Sequence, residues 1–298
     1  MRPALGLVLV FGSLLGRLEA LASQFPPEIK SVVAFVFVAR SAGDLVPWGT
    51  AFFVGVPDSH HPERSFVYLV TAKHVVMAAD QQSFLPEIYL RLNTLAGGAQ
   101  TLKTPIVTEG KAKTVFFHPD PTVDLAVIPW LPDQKTFDFK FLPAEMITTE
   151  KDFRELKIVE GSEVFFTGLF SPYVGTKRNY PVVRFGRVAL ITEEKIRFSD
   201  REAQLYLIES GSYGGNSGAP VFFFLGADRE PGVLIVGSPV IKLAGVMSGT
   251  FLDIQPVRIV DTANTAVAPS NMGVAAVVPA YKLQELLFGQ VLRTLRGN

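Results

Sequence analysis

The chain of 298 residues contains no cysteine. Disulfides therefore contribute nothing to its stability, and neither a thiolate nucleophile nor a cysteine-based zinc site is available. Charge of one sign is not in excess: 28 Lys and Arg stand against 28 Asp and Glu. A neutral balance gives no reason to expect nucleic acid or an anionic membrane surface as partner. Long apolar runs are scarce. The one at the start, Ala4 to Leu15, has about a dozen residues and falls short of the ~30 Å core of a bilayer. Heptads, low-complexity tracts and repeats are missing. Histidine is rare, with four copies. No motif for metal, nucleotide or flavin is present, so no metal and no cofactor are expected.

What is present suits a folded chain of one large or two small domains, since 48% of the residues are hydrophobic. Residues 1–22 read as a secretory signal: Arg2, the apolar run, then Ala20-Leu21-Ala22 as small residues at a cleavage site. The mature chain is expected to begin near Ser23 and to be secreted or periplasmic, with no stable membrane span. Beyond that, short β-branched and aromatic runs dominate, among them 31–38, 66–70, 87–92, 114–117, 163–166, 182–191, 204–208, 221–224 and 233–236. Turn residues such as Pro57-Asp58, Gly97-Gly98 and Pro119-Asp120-Pro121 separate them, which predicts an all-β barrel or sandwich. A helix is predicted from Ala280 to about Leu295, with Leu283, Leu286, Leu287, Val291 and Leu295 on one face. The charged stretch around Pro132 and Pro143 divides the chain into 23–135, a linker at 136–160, and 161–298.

The most informative segment is Gly214-Gly215-Asn216-Ser217-Gly218. Glycines around one serine keep side chains away from its hydroxyl, so a substrate carbonyl can approach it. Serine alone is a poor nucleophile and needs a base and a group to orient that base. His74, in Thr71-Ala72-Lys73-His74-Val75, and Asp124, in Asp124-Leu125-Ala126-Val127, are the candidates, with Asp120 as the rival acid. A carboxylate beside Leu125 and Ala126 is costly to bury unpaired, so Asp124 requires a partner. His60 and His61 sit in a polar loop, and His118, before Pro119, is read as structural. The Gly215 and Ser217 N–H groups are positioned in sequence to stabilise an oxyanion. A Gly-x-Ser esterase elbow is excluded by order, because no histidine follows residue 118.

With Gly49-Thr50-Ala51-Phe52-Phe53-Val54 and Gly273-Val274-Ala275-Ala276-Val277-Val278-Pro279, these motifs run in one order over about residues 28–290. In that order the chain resembles trypsin-like serine peptidases, and among them the cysteine-free bacterial HtrA (Deg) branch. The resemblance implies two six-stranded antiparallel β-barrels of the chymotrypsin type and a terminal helix. It also implies an active site in the cleft between the barrels, a Ser217–His74–Asp124 triad, and a protein or peptide substrate. A further PDZ domain is not expected. Asn216 stands where zymogen-activated relatives carry an aspartate, so activation by a new N-terminal ammonium is not expected. Ala219 replaces a glycine usual in the branch.

Counting from Ser217, the pocket for the residue whose carbonyl is attacked (P1) falls to Gly211, Ser212 and Tyr213, with Met247, Ser248 and Val274 nearby. Without a carboxylate at Gly211, the expected P1 residue is small to medium and apolar. The reading from a different class is a catalytically inactive peptide- or protein-binding module on the same scaffold.

Overall fold

A computed structural model describes residues 26–40, 43–198, 201–212, 214–226, 239–258 and 265–297. The signal segment, Tyr213 and the run expected at 233–236 lie outside the described residues. The N-terminal half forms an eight-stranded sheet from β1 (Val33–Ala39), β2 (Leu45–Pro57), β3 (Ser65–Thr71), β4 (Glu87–Asn93), β5 (Ala99–Pro105), β6 (Phe116–Phe117), β7 (Ala126–Pro129) and β8 (Leu142–Pro143). The order is β5-β4-β1-β2-β3-β7-β6, with β8 laid parallel against β2. Alternation in the sequence sets the faces. Ile88, Leu90 and Leu92 of β4 point inward, while Glu87, Tyr89 and Arg91 are partly exposed. Ile88 and Leu90 share one core with Leu69 of β3 and Ile128 of β7, so the sheet curls around its own interior.

The C-terminal half contains β9 (Glu163–Gly168), β10 (Val182–Leu190), β11 (Ile196–Phe198), β12 (Arg201–Ala203), β13 (Tyr206–Glu209), β14 (Pro220–Leu225), β15 (Val240–Arg258) and β16 (Thr265–Pro279). Six of these close into the barrel β10-β13-β16-β15-β14-β9, and β11 and β12 pair separately as a hairpin. The segment between the halves holds β8 and a short helix, α1 (Glu150–Glu155), started by a capping box of Thr149 and Asp152.

β2 joins the two halves because both of its faces are buried. Ala51 and Phe53 face the N-terminal core. Phe52, Val54 and Val56 face a second cluster that includes Phe165, Phe222, Leu243 and Leu283 from the other half. Each such side chain contributes roughly 2 kcal/mol on burial, so the junction that carries the cleft is held by apolar packing.

The terminal helix differs from the expectation. It is split into α2 (Ala280–Leu287) and α3 (Gln290–Arg296), with Gly289 as the first residue outside α3. Gly289 adopts an extended conformation (φ −66°, ψ 158°), which ends one helical register and starts another. Leu283, Leu286 and Leu287 are buried as predicted, but Val291 and Leu295 are exposed, at 65% and 56%, and Leu292 is buried instead. α2 packs on β15 and β16 of the second barrel, while Arg296 of α3 donates to the Tyr68 hydroxyl of β3 at 3.0 Å.

Candidate active site

Antiparallel pairing of β3 with β7 sets Thr71 opposite Ala126. Just beyond that register the chain turns into a single 3₁₀ turn, Lys73–Val76, bearing His74, while Asp124 lies two residues before β7. The two side chains therefore meet at the end of one strand pair. His74 Nδ1 lies 2.8 Å from Asp124 Oδ2, and the His74 backbone N–H donates to Asp124 Oδ1 at 3.0 Å.

Asp124 is 1% exposed and receives two further contacts on Oδ2. The Ser248 hydroxyl donates at 2.6 Å and Arg201 Nη2 lies at 3.1 Å. Burial by itself pushes the carboxyl upward; the His74 ring, the Arg201 guanidinium and the Ser248 hydroxyl together overcome it and hold the group well below the usual carboxylate range. An ionised carboxylate only accepts, so Nδ1 carries the ring proton and Nε2 is left as the acceptor, the form a general base needs. The rival Asp120 is occupied elsewhere. Its carboxylate accepts from the Thr122 N–H and hydroxyl and lies 3.9 Å from Lys195 Nζ.

Ser217 comes from the other half, in the turn before β14, and lines one cleft of about 420 Å³ with His74, Arg201 and Ser248. The turn is fixed through its backbone. Thr50 of β2 donates from its N–H to the Ser217 carbonyl and from its hydroxyl to the Gly215 carbonyl, both at 2.8 Å, and that hydroxyl accepts from the Leu169 N–H. The Ser171 hydroxyl holds the Gly214 carbonyl at 2.9 Å. Two glycines are required by geometry. Gly218 has φ +84°, and a Cβ there would lie 2.1 Å from the Thr50 carbonyl; Gly215 has φ +94°, with Ser171 Oγ only 2.5 Å from such an atom.

Neither the Gly215 nor the Ser217 N–H is given to a backbone carbonyl among the described residues. Gly215 is buried. A buried donor so placed calls for an acceptor, and an oxyanion beside Ser217 is one. No hydrogen bond joins the Ser217 hydroxyl to His74 among the described residues.

Asn216 is buried and uncharged, and its Nδ2 donates to the Leu169 carbonyl at 2.8 Å. The methyl of Ala219 is accommodated because Gly168 opposite has none; a Cβ on Gly168 would stand 3.1 Å from it. The residues assigned to the P1 pocket differ in exposure. Gly211 is exposed, Val274 partly so, and Ser212 is buried with its carbonyl accepting from Asn271 Nδ2. Met247 lies in the core of the second barrel, its backbone bonded to Gly218 and Ala219. Ser248 lines the cleft and also reaches the candidate acid. A bulge between Met247 and Gly249 leaves it without a partner on β16, and its hydroxyl turns to Asp124. His118 ties two parts of the chain together. Its Nδ1 accepts from the Asp120 N–H, so Nε2 carries the proton and donates to Glu285 of α2 at 2.9 Å.

The two halves have the architecture of a chymotrypsin-like double barrel. No family model and no curated protein matches the chain. Among solved structures, the apo protease domain of MamO from Magnetospirillum magneticum is similar at 16% identity, over 87% of this chain and 97% of its own, with a TM-score of 0.50. Human heparin binding protein is 11% identical over 90% and 94%, with a TM-score of 0.48. The Drosophila Grass clip serine protease is 14% identical over 91% and 72%, also at 0.48. At 16% identity the likeness to the MamO domain is one of fold.

Proposed function

We infer that this chain is a serine endopeptidase. The Ser217 hydroxyl attacks a peptide carbonyl while His74 Nε2 takes its proton. Asp124 keeps the ring in the required tautomer and stabilises the imidazolium. The tetrahedral oxyanion rests on the Gly215 and Ser217 N–H groups. His74 then donates the proton to the leaving amine, and water hydrolyses the acyl-enzyme by the same steps in reverse order of groups. The observation that carries this reading is the ionised, fully enclosed Asp124 bonded to Nδ1 of a histidine that shares a cleft with Ser217.

Export with loss of residues 1–22 fits the same reading, as does affinity to the cysteine-free HtrA-like branch. A non-catalytic binding module has one observation in its favour: among the described residues no hydrogen bond joins the Ser217 hydroxyl to the ring. Catalytic hydrogen bonds often close only around substrate, so the enclosed carboxylate weighs more. Incubation of the protein from Ser23 onward with a peptide library, read by mass spectrometry, tests it. Cleavage that disappears in S217A with folding retained supports the enzyme; wild-type protein that binds peptides and cleaves none supports the module.

A further inference from the structure

The connection from β10 to β13 carries the β11–β12 hairpin, which belongs to neither sheet of the two main halves. Two of its residues line the cleft of Ser217 and His74. Phe198 stands edge-on to Phe251, ring centroids 5.0 Å apart. Its Cζ is 2.9 Å from where a Cβ on Gly249 would be, so the ring covers the β15 backbone beside the bulge. Arg201 reaches past Ser248 to Asp124, yet 34% of its side chain is exposed. That ion pair is its one polar contact among the described residues. A guanidinium has five N–H donors in a planar fork, so most of them are left to face the cleft.

Among the described residues, Arg201 is the one formally charged side chain on the cleft wall; Asp124 lies behind it, enclosed. The carboxylate charge of Asp124 is already shared with a ring, a hydroxyl and a backbone N–H. The face offered to a bound peptide is therefore one of guanidinium N–H donors not taken up by Asp124, with an aromatic ring beside it. A cation with paired donors, next to an apolar wall, fits a short side chain of methylenes ending in a carboxylate.

Resting on the proteolytic reading above, we propose that Arg201 is a specificity-determining residue that selects substrates with Glu or Asp close to the scissile bond. Gly211 and Val274 do not line the cleft that Arg201 enters, so the acidic residue is expected at a position other than P1. Phe198 packs on the methylenes and Arg201 takes the carboxylate.

The test uses peptide pairs that differ only by Glu or Gln at each position flanking a cleaved bond. The ratio of kcat/KM within each pair is measured for wild type, R201K and R201Q. Wild type is expected to favour Glu about tenfold at one position, chiefly through KM, equivalent to about 1.4 kcal/mol. R201K keeps part of the preference, and R201Q brings the ratio to about one. Because the ratio is internal to each protein, a slower or less stable variant still reports it. A ratio near one at every position in wild type, or a preference that survives R201Q, overturns the proposal. If wild type cleaves no peptide and Ser217 resists a fluorophosphonate, the proteolytic reading itself falls and the proposal with it.

Discussion

Asp124 receives four polar contacts on its two oxygens, whereas the Ser217 hydroxyl, among the described residues, is bonded to no other group. These two ends of one site are held by different means. The acid–base end is fixed by charge: a carboxylate stripped of water must be surrounded by donors, and those donors set the ring's tautomer. The nucleophile end is fixed by shape. Two glycines with positive φ, and Thr50 bonded to two carbonyls of the turn, orient the backbone and leave the side chain able to rotate. Charge is spent on the groups that must be ready before substrate arrives. On the proposed mechanism the hydroxyl is aligned by the carbonyl it would attack.

The comparison can be broken most severely at its charged end. D124N should lower kcat on the order of 10⁴-fold, the size known for the chymotrypsin template, while circular dichroism stays unchanged. The same carboxyl also governs acid stability. Its folded value lies below its unfolded value near 4, so it adds stability above about pH 4 and loses it as the pH falls further. In D124N that acid limb of a denaturant–pH series should flatten.

The shaped end should fail differently. G218A forces a side chain into a left-handed conformation against the Thr50 carbonyl, so it should cost about 3 kcal/mol or more in urea unfolding. T50V removes a hydroxyl that donates to Gly215 and accepts from Leu169. A loss of about 2 kcal/mol is expected, with kcat falling more than KM rises, because the turn rather than the substrate contacts is loosened. The smallest change is S248A. Asp124 keeps three of its four contacts, so unfolding should shift by about 1 kcal/mol and turnover by a few-fold. If S248A matched D124N, the hydroxyl rather than the ring would be holding the carboxylate, and the contrast between the two ends would be misdrawn.

The sequence showed what is local and hid what is made by contacts between distant segments. The glycine turn, His74 after a strand and Asp124 before one are short patterns whose residue types follow from the chemistry; His74 and Ser217 line one cleft, and Asp124 is bonded to the His74 ring from behind it. β-rich runs gave the barrel class, since alternation such as that of Ile88, Leu90 and Leu92 reports a sheet with one buried face. Arg201 was not legible, because nothing in a short hairpin marks an arginine that will meet a carboxylate in the other half. Ser248 was placed near the pocket and found on Asp124; only the bulge beside Met247 turns it, and bulges leave no clear mark on residue types. The helix break was missed because Gly289 sits inside an apolar period that a straight helix also satisfies. The phase shift appears only when Leu292 is seen buried and Val291 exposed.

On the proposed mechanism His74 activates Ser217 across the junction of the two halves. Reaction with a fluorophosphonate, followed by mass spectrometry of the digested protein, tests it most directly. Modification is expected at Ser217 alone, with a rate that falls on the order of 10³-fold or more in H74A. A folded wild-type protein that never reacts, or an H74A variant that reacts as fast as wild type, would contradict it.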